Sequence, residues 1–245
     1  MKKIAIFGAQ SAIAVACARR FAATGAEFIL VARDGEKLSR VGADLKARGA
    51  AQVHEYSADL SDCAKHQEVF SAAEKALGNI ELVLLAYGIL GSQTEAQDSF
   101  ATTEEVLLVN LRSPISLLSI IANRFEALRA GKIAVISSVA GDRGKQSNYV
   151  YGASKGGLNV FLEGLRNRLY PSGVQVLTIK PGFVDTPMTA HIEKKPFVVK
   201  PDVIARDVQR ALDWNLNTVY TPCIWWPIMF IIRHIPEFIF KRLKL

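Results

Sequence analysis

Ile4-Ala5-Ile6-Phe7-Gly8-Ala9-Gln10-Ser11-Ala12-Ile13-Ala14 opens on four apolar residues, turns through small ones and continues into a helical pattern. An apolar run too short for a helix, followed at once by small residues, reads as a buried strand feeding a helix N-terminus. Backbone amides at such a terminus can receive a diphosphate if no bulky side chain keeps it away. Gly8, Gln10, Ser11, Ala12 and Ile13 are therefore candidate dinucleotide contacts. Only Gly8 is a glycine, and Ala12 and Ala14 stand where a dinucleotide fold usually carries one, so the segment alone also fits an ordinary strand-to-helix turn.

The rest of the chain repeats the same alternation. Apolar runs rich in Val, Ile and Leu predict strands at Ile4–Phe7, Glu27–Val31, Gln52–Ser57, Leu82–Leu85, Ile133–Ser137, Val174–Ile179 and Thr218–Thr221. Helical periodicity predicts helices near Ala12–Ala23, Gly35–Arg48, Ala64–Ala76, Thr103–Arg129, Val150–Leu169 and Asp202–Asp213. The expected fold is α/β: a single Rossmann-type, doubly wound sheet of seven parallel strands with helices on both faces. Right-handed crossovers then place a ligand crevice at the carboxyl ends of the strands.

With 245 residues, half of them apolar, the chain suits one catalytic domain over residues 1–245, with 222–245 as an apolar and basic tail. A net charge of +7 favours anionic partners in general. Its basic residues are scattered without interleaved aromatics, which argues against nucleic acid. Cys17, Cys63 and Cys223 form no paired motif, so free thiols in a reducing cytoplasm are expected. The basic start, Met1-Lys2-Lys3, precedes an apolar run that stops at Gly8, too short for a signal peptide. His54, His66, His191 and His234 lack metal-ligand spacing, and no metal is expected.

At the end of the second strand, Ala32 and Arg33 come before Asp34. An acidic residue there grips a ribose 2'-hydroxyl, whereas arginine suits a 2'-phosphate, so NADP(H) is favoured with NAD(H) as the alternative. Asp34 reads as a helix cap. After the third strand, Asp59 can accept from an adenine amino group with the Leu60 backbone alongside, or cap the next helix.

The chemistry concentrates between Ile136 and Lys155. Tyr151 and Lys155 are four residues apart in a predicted helix, which puts them on one face, one turn apart. A tyrosine with an ordinary pKa of about 10 is a poor acid or base at neutral pH, and an adjacent ammonium stabilises its developing phenolate. Ser138, at the carboxyl end of the fifth strand, can orient the same substrate carbonyl. Tyr149 and Tyr170 lie off this face and read as packing or surface residues.

Taken in order, the small-residue turn, Asn110, Ser138, Tyr151, Lys155 and Pro181-Gly182 resemble the short-chain dehydrogenase/reductase family over residues 1 to about 215. The resemblance implies that Asn110 bends its helix and holds a proton-relay water, and that Pro181, Gly182, Val184 and Thr186 meet the nicotinamide. It also implies cofactor contacts at Ala86 and Gly88, although Leu85-Ala86-Tyr87-Gly88 replaces the family's usual Asn-Asn-Ala-Gly. A homodimer or homotetramer is a further family expectation.

Ala86–Gly91, Val139–Arg143 and Arg233–Arg242 are similar to a branch of that family that reduces the 2-keto pentose of a decaprenyl phosphate after a flavin oxidase has made it. The tail carries Trp225, Trp226 and Phe230, then Arg233, Lys241, Arg242 and Lys244. Its apolar stretch Pro222–Ile232, eleven residues broken by Pro227, is too short for a bilayer span of roughly 20, so peripheral contact with the inner membrane face competes with oligomer or pocket packing. The alternative functions are reduction of an oxoacyl thioester or small ketone, and a cofactor-binding regulatory protein without turnover. The intact Asn110, Ser138, Tyr151 and Lys155 set argues against the last.

Overall fold

The computed structural model describes residues 2–190, 192 and 196–243. His191 and Lys244, both weighed above, lie outside them. Seven strands form one sheet: β1 Lys3–Phe7, β2 Glu27–Ala32, β3 Gln52–Ser57, β4 Leu82–Leu85, β5 Lys132–Ile136, β6 Gln175–Pro181 and β7 Thr218–Thr221. All pairings are parallel, in the order β3-β2-β1-β4-β5-β6-β7. The winding reverses between β1 and β4, and neighbouring loops diverge there to leave a crevice at the strand ends.

The strand pleat sorts the core into two layers. On β1, Ile4 and Ile6 join a cluster with α1 (Ala12–Ala22), α2 (Gly35–Ala47) and α8 (Pro201–Asp213). Ala5 and Phe7 face the other way, onto α3 (His66–Leu77), α6 (Ser113–Leu128) and α7 (Tyr149–Leu169). Alternation within a strand therefore feeds both helical layers. The inner face of α1 is largely alanine, which lets it approach the sheet and hold its N-terminus over the end of β1. His66, buried at the start of α3, is satisfied by Ser116 Oγ and the Leu60 carbonyl, each at 2.9 Å. Among the described residues, no three His, Cys, Asp or Glu side chains gather as a metal site requires.

The long helix expected over Thr103–Arg129 is interrupted. A short helix α4 (Gln93–Asp98) precedes α5 (Phe100–Leu107), and a π-helical turn at Leu108–Arg112 joins α5 to α6. The span Phe100–Leu128 is long and apolar enough to cross a membrane by composition, yet Leu117, Leu118, Ile121 and Phe125 are packed into the core. The tail also departs from expectation. Helix α9 (Trp225–His234) runs through Pro227, and α10 (Glu237–Phe240) follows. Pro227 is the third residue of α9, where a backbone N–H has no partner within the helix, so its absence costs little.

Candidate active site

One cleft of about 440 Å³ opens across the carboxyl ends of the central strands. Gly8, Gln10, Ser11, Ala12 and Ile13 line one side, where Ser11 occupies the N-cap position of α1 without making a side-chain cap bond. The first amides of α1 thus have neither an intrahelical nor a capping partner, and the helix dipole adds a positive field. This arrangement fits a dinucleotide diphosphate. Gly8 adopts φ +84°, and a Cβ there would sit 2.7 Å from the Cβ and amide of Tyr87. Only glycine allows the strand to turn this close to its neighbour.

Arg33, Asp59 and Leu60 line the same cleft beyond α1. Asp34 is the N-cap of α2, accepting from the Lys37 amide at 3.1 Å, and its backbone carbonyl is bonded by Gln10 Nε2. Asp59 accepts from the Ser61 amide and hydroxyl at 2.9 and 2.8 Å. The Ser61 amide, with Arg33 and Lys65 adding attraction, keeps its carboxyl below the ordinary range. Asp59 therefore closes a local turn, while Asp62 caps the short helix at Cys63–Lys65 that leads into α3.

Ala86 and Gly88 form the floor of the cleft, with Tyr87 between them. The Tyr87 hydroxyl pairs with Ser113 Oγ at 2.8 Å, and burial holds its pKa well above the usual phenol value. Asn110 lies behind this floor, fully buried in the π-helical turn and away from the cleft wall. Its carboxamide accepts from the Ile89 amide at 2.9 Å and donates to the Ile89 carbonyl at 2.7 Å and to Ser154 Oγ at 3.2 Å. The wider turn lets the side chain bridge the loop after β4 to α7. Its bonds account for the helix interruption that periodicity did not reveal.

At the far end stand Ser138, Tyr151 and Lys155. Ser138 is extended, and its Oγ accepts from the Ala140 amide at 3.1 Å, capping a short turn over Val139–Asp142. Burial pushes the Tyr151 phenol up to about 12, opposed by a hydrogen bond with Ser138. Burial also pulls the Lys155 ammonium down to about 8. Lys155 Nζ donates to the Ile136 carbonyl at 3.2 Å and lies 5.9 Å from the Tyr151 ring centre. Desolvation thus raises the Tyr151 phenol above its ordinary value and favours its protonated form.

Pro181, Gly182, Val184 and Thr186 complete the wall, joined by Met188 and Thr189, which sequence reasoning did not single out. Thr189 Oγ1 donates to the Val184 carbonyl at 2.5 Å and fixes this loop. Tyr149 and Tyr170 are exposed, as expected of residues outside the site. Asn110 apart, every proposed contact borders this one cleft, because the loops after β1 to β6 converge there with the face of α7 that carries Tyr151 and Lys155.

A family model described as short chain dehydrogenase matches residues 2–196. An uncharacterised oxidoreductase of Mycobacterium tuberculosis is 35% identical over 240 residues, covering 98% of this chain and 96% of the relative. An uncharacterised oxidoreductase of Streptomyces coelicolor is 30% identical over 243 residues, covering 99% and 96%. A short-chain dehydrogenase from Sphingobium yanoikuyae, solved in complex with NADPH, superposes with a TM-score of 0.83 at 24% identity over 97% of both chains.

Proposed function

Because the chain belongs to the short-chain dehydrogenase family of NAD(P)-dependent oxidoreductases, we propose that it is a carbonyl reductase in which Tyr151 gives the proton and Ser138 orients the carbonyl. The observation that carries this reading is the convergence of Ser138, Tyr151 and Lys155 at one end of a cleft whose other end is built for a diphosphate. A bound nicotinamide dinucleotide supplies the hydride to the carbonyl carbon.

The protein's own part is to manage the oxygen. Ser138 donates a hydrogen bond to it, and Tyr151, protonated at neutral pH, transfers a proton as negative charge develops there. An alkoxide is a stronger base than a phenolate, so a raised tyrosine pKa still leaves this transfer downhill. Lys155, charged below about pH 8, compensates the tyrosinate left behind, which regains its proton from solvent. Asn110 holds the loop after β4 against α7 and thereby positions the floor. The α1 amides hold the diphosphate, and Arg33 favours the 2'-phosphate of NADP(H) over NAD(H).

The substrate class we infer is a 2-keto pentose on a polyprenyl phosphate. The branch-like segments support it, as do the exposed side chains Trp226, Phe230, Ile231 and Phe238 in a tail that also carries Arg233, Lys241 and Arg242. Such a tail suits peripheral contact with an anionic membrane from the cytoplasmic side. A flavin oxidase is the matching source of the ketone, and a homo-oligomer is the expected assembly. The test is a set of steady-state rates with the keto-pentose lipid, an oxoacyl thioester and a small ketone, using Tyr151→Phe as control. The reading expects the sugar lipid to give the highest kcat/KM and the variant to lose about 100- to 10,000-fold in turnover while still binding NADPH. Preference for the thioester or small ketone would replace the substrate, and full turnover by the variant would displace Tyr151.

A further inference from the structure

Resting on the reductase reading, we propose that Asp142 and Arg143 make the C-terminal helices a working part of the site, with Arg143 a positioning residue that acts through the turn carrying Ser138. That turn, Val139–Asp142, is capped by Ser138 and ends at Asp142 and Arg143. Both Asp142 carboxylate oxygens are engaged: Lys180 Nζ donates to one at 2.7 Å, and the Tyr220 hydroxyl to the other at 2.6 Å. The Asp142–Lys180 pair is nearly sealed from solvent, with the two side chains 2% and 8% exposed. Lys180 immediately precedes Pro181-Gly182, so the pair ties the Ser138 turn to the opposite wall of the cleft.

The next residue faces the tail. Arg143 Nη1 donates to the carbonyls of Ile232 at 2.6 Å and Ile235 at 2.7 Å, and Nη2 to Glu237 at 3.0 Å. Its guanidinium also lies 3.6 Å from the centre of the Phe240 ring. The last carbonyls of a helix lack intrahelical partners and carry partial negative charge, so a planar five-donor fork can satisfy several at once. One side chain therefore terminates α9 and holds α10 beside it.

The inner face of α9 bears on the same cleft walls. Trp225 and Met229 pack with Val139, the residue after Ser138. Trp225 also stands against Gly182 so closely that a Cβ there would lie 1.8 Å from its indole nitrogen. The same indole meets Phe183 and Phe197 edge-on at 6.0 and 6.2 Å. Releasing Arg143 would loosen the helix that covers Val139 and Gly182 and would leave Ser138 less well fixed.

The experiment compares Arg143→Ala and Arg143→Lys in the full chain, each alone and combined with Ser138→Ala. Turnover is followed by NADPH oxidation with whichever ketone the unaltered protein reduces. Positioning predicts a loss of about tenfold or more in kcat for Arg143→Ala, with the KM for NADPH within about twofold and partial recovery in Arg143→Lys. In the Ser138→Ala background, Arg143→Ala should cost less than about twofold further, because the group it positions is already gone. Equal losses in both backgrounds would overturn the proposal.

Hydrogen exchange of the NADPH-saturated protein gives a reading that does not depend on turnover. Arg143→Ala should speed exchange over residues 137–143 and 181–184 as well as in the tail, and acceleration confined to the tail would overturn the coupling. If Arg143→Ala does not fold, Arg143→Lys carries both comparisons. An unaltered protein inactive on every ketone would remove the reductase reading, and the exchange result would still decide the coupling.

Discussion

Tyr151 and Lys155 are shifted in opposite directions by the same cause: loss of hydration disfavours the charged form of each, the buried Lys155 ammonium and the partly exposed Tyr151 phenolate alike. The tyrosine keeps its proton, as a donor must, whereas the lysine begins to lose its charge just above physiological pH. We expect kcat/KM for NADPH, which reports groups of the free enzyme, to fall above about pH 8 and Lys155→Met to lose that limb along with NADPH affinity. The same shift affects folding. The unfolded lysine keeps its proton up to its ordinary 10.5 while the folded one releases it near 8, so stability rises with pH across that window. Denaturant melts of the unaltered and Lys155→Met proteins at pH 7 and 9.5 would detect it. At this scale the Tyr-x-x-x-Lys pair was readable because four residues in a helix form one turn. Arg143 was not, since its partners lie 89 to 94 positions away.

Among the elements, the link from β1 to α1 sets the cofactor end. Gly8→Ala would force a side chain into a left-handed conformation and against Tyr87, at a cost of roughly 1–3 kcal/mol. For a chain of this size that lowers the melting temperature by roughly 2–4 °C per kcal/mol, measurable by calorimetry. Gly25→Ala shares a positive φ but meets nothing within 4 Å, so it separates backbone strain from the clash. Periodicity located nearly every strand and helix of the sheet, because these elements bury apolar faces in regular patterns. It joined α5 to α6 in one helix, since the π-helical turn at Leu108–Arg112 depends on Asn110 meeting Ile89 and Ser154. It gave residues 222–245 only as an apolar and basic tail, whereas α9 and α10 form there with Arg143 bonded between them.

For the whole molecule, the strand order matters most, because the reversal between β1 and β4 opens the cleft that gathers the loops after β1 to β6. A ligand bound only by the folded state stabilises it, by about 2.7 kcal/mol at a hundred times its Kd. NADPH at that excess should raise the melting temperature by roughly 5–10 °C. NADH at the same concentration should raise it less, and Arg33→Ala should close most of the gap. An equal shift with both cofactors would remove Arg33 as the basis of the NADP(H) preference.

The sequence by itself determined the alternating parallel architecture, the turn after the first strand and the Ser138, Tyr151 and Lys155 set, because each is written in local spacing or in hydrophobic period. The tertiary structure alone decided that the Tyr151 phenol is raised above its ordinary value, that Asn110 is spent on Ile89 and Ser154, and that the tail is bonded to Arg143 beside the turn after β5. Desolvation and long-range hydrogen bonds depend on which distant segments meet, and spacing along the chain does not carry that information.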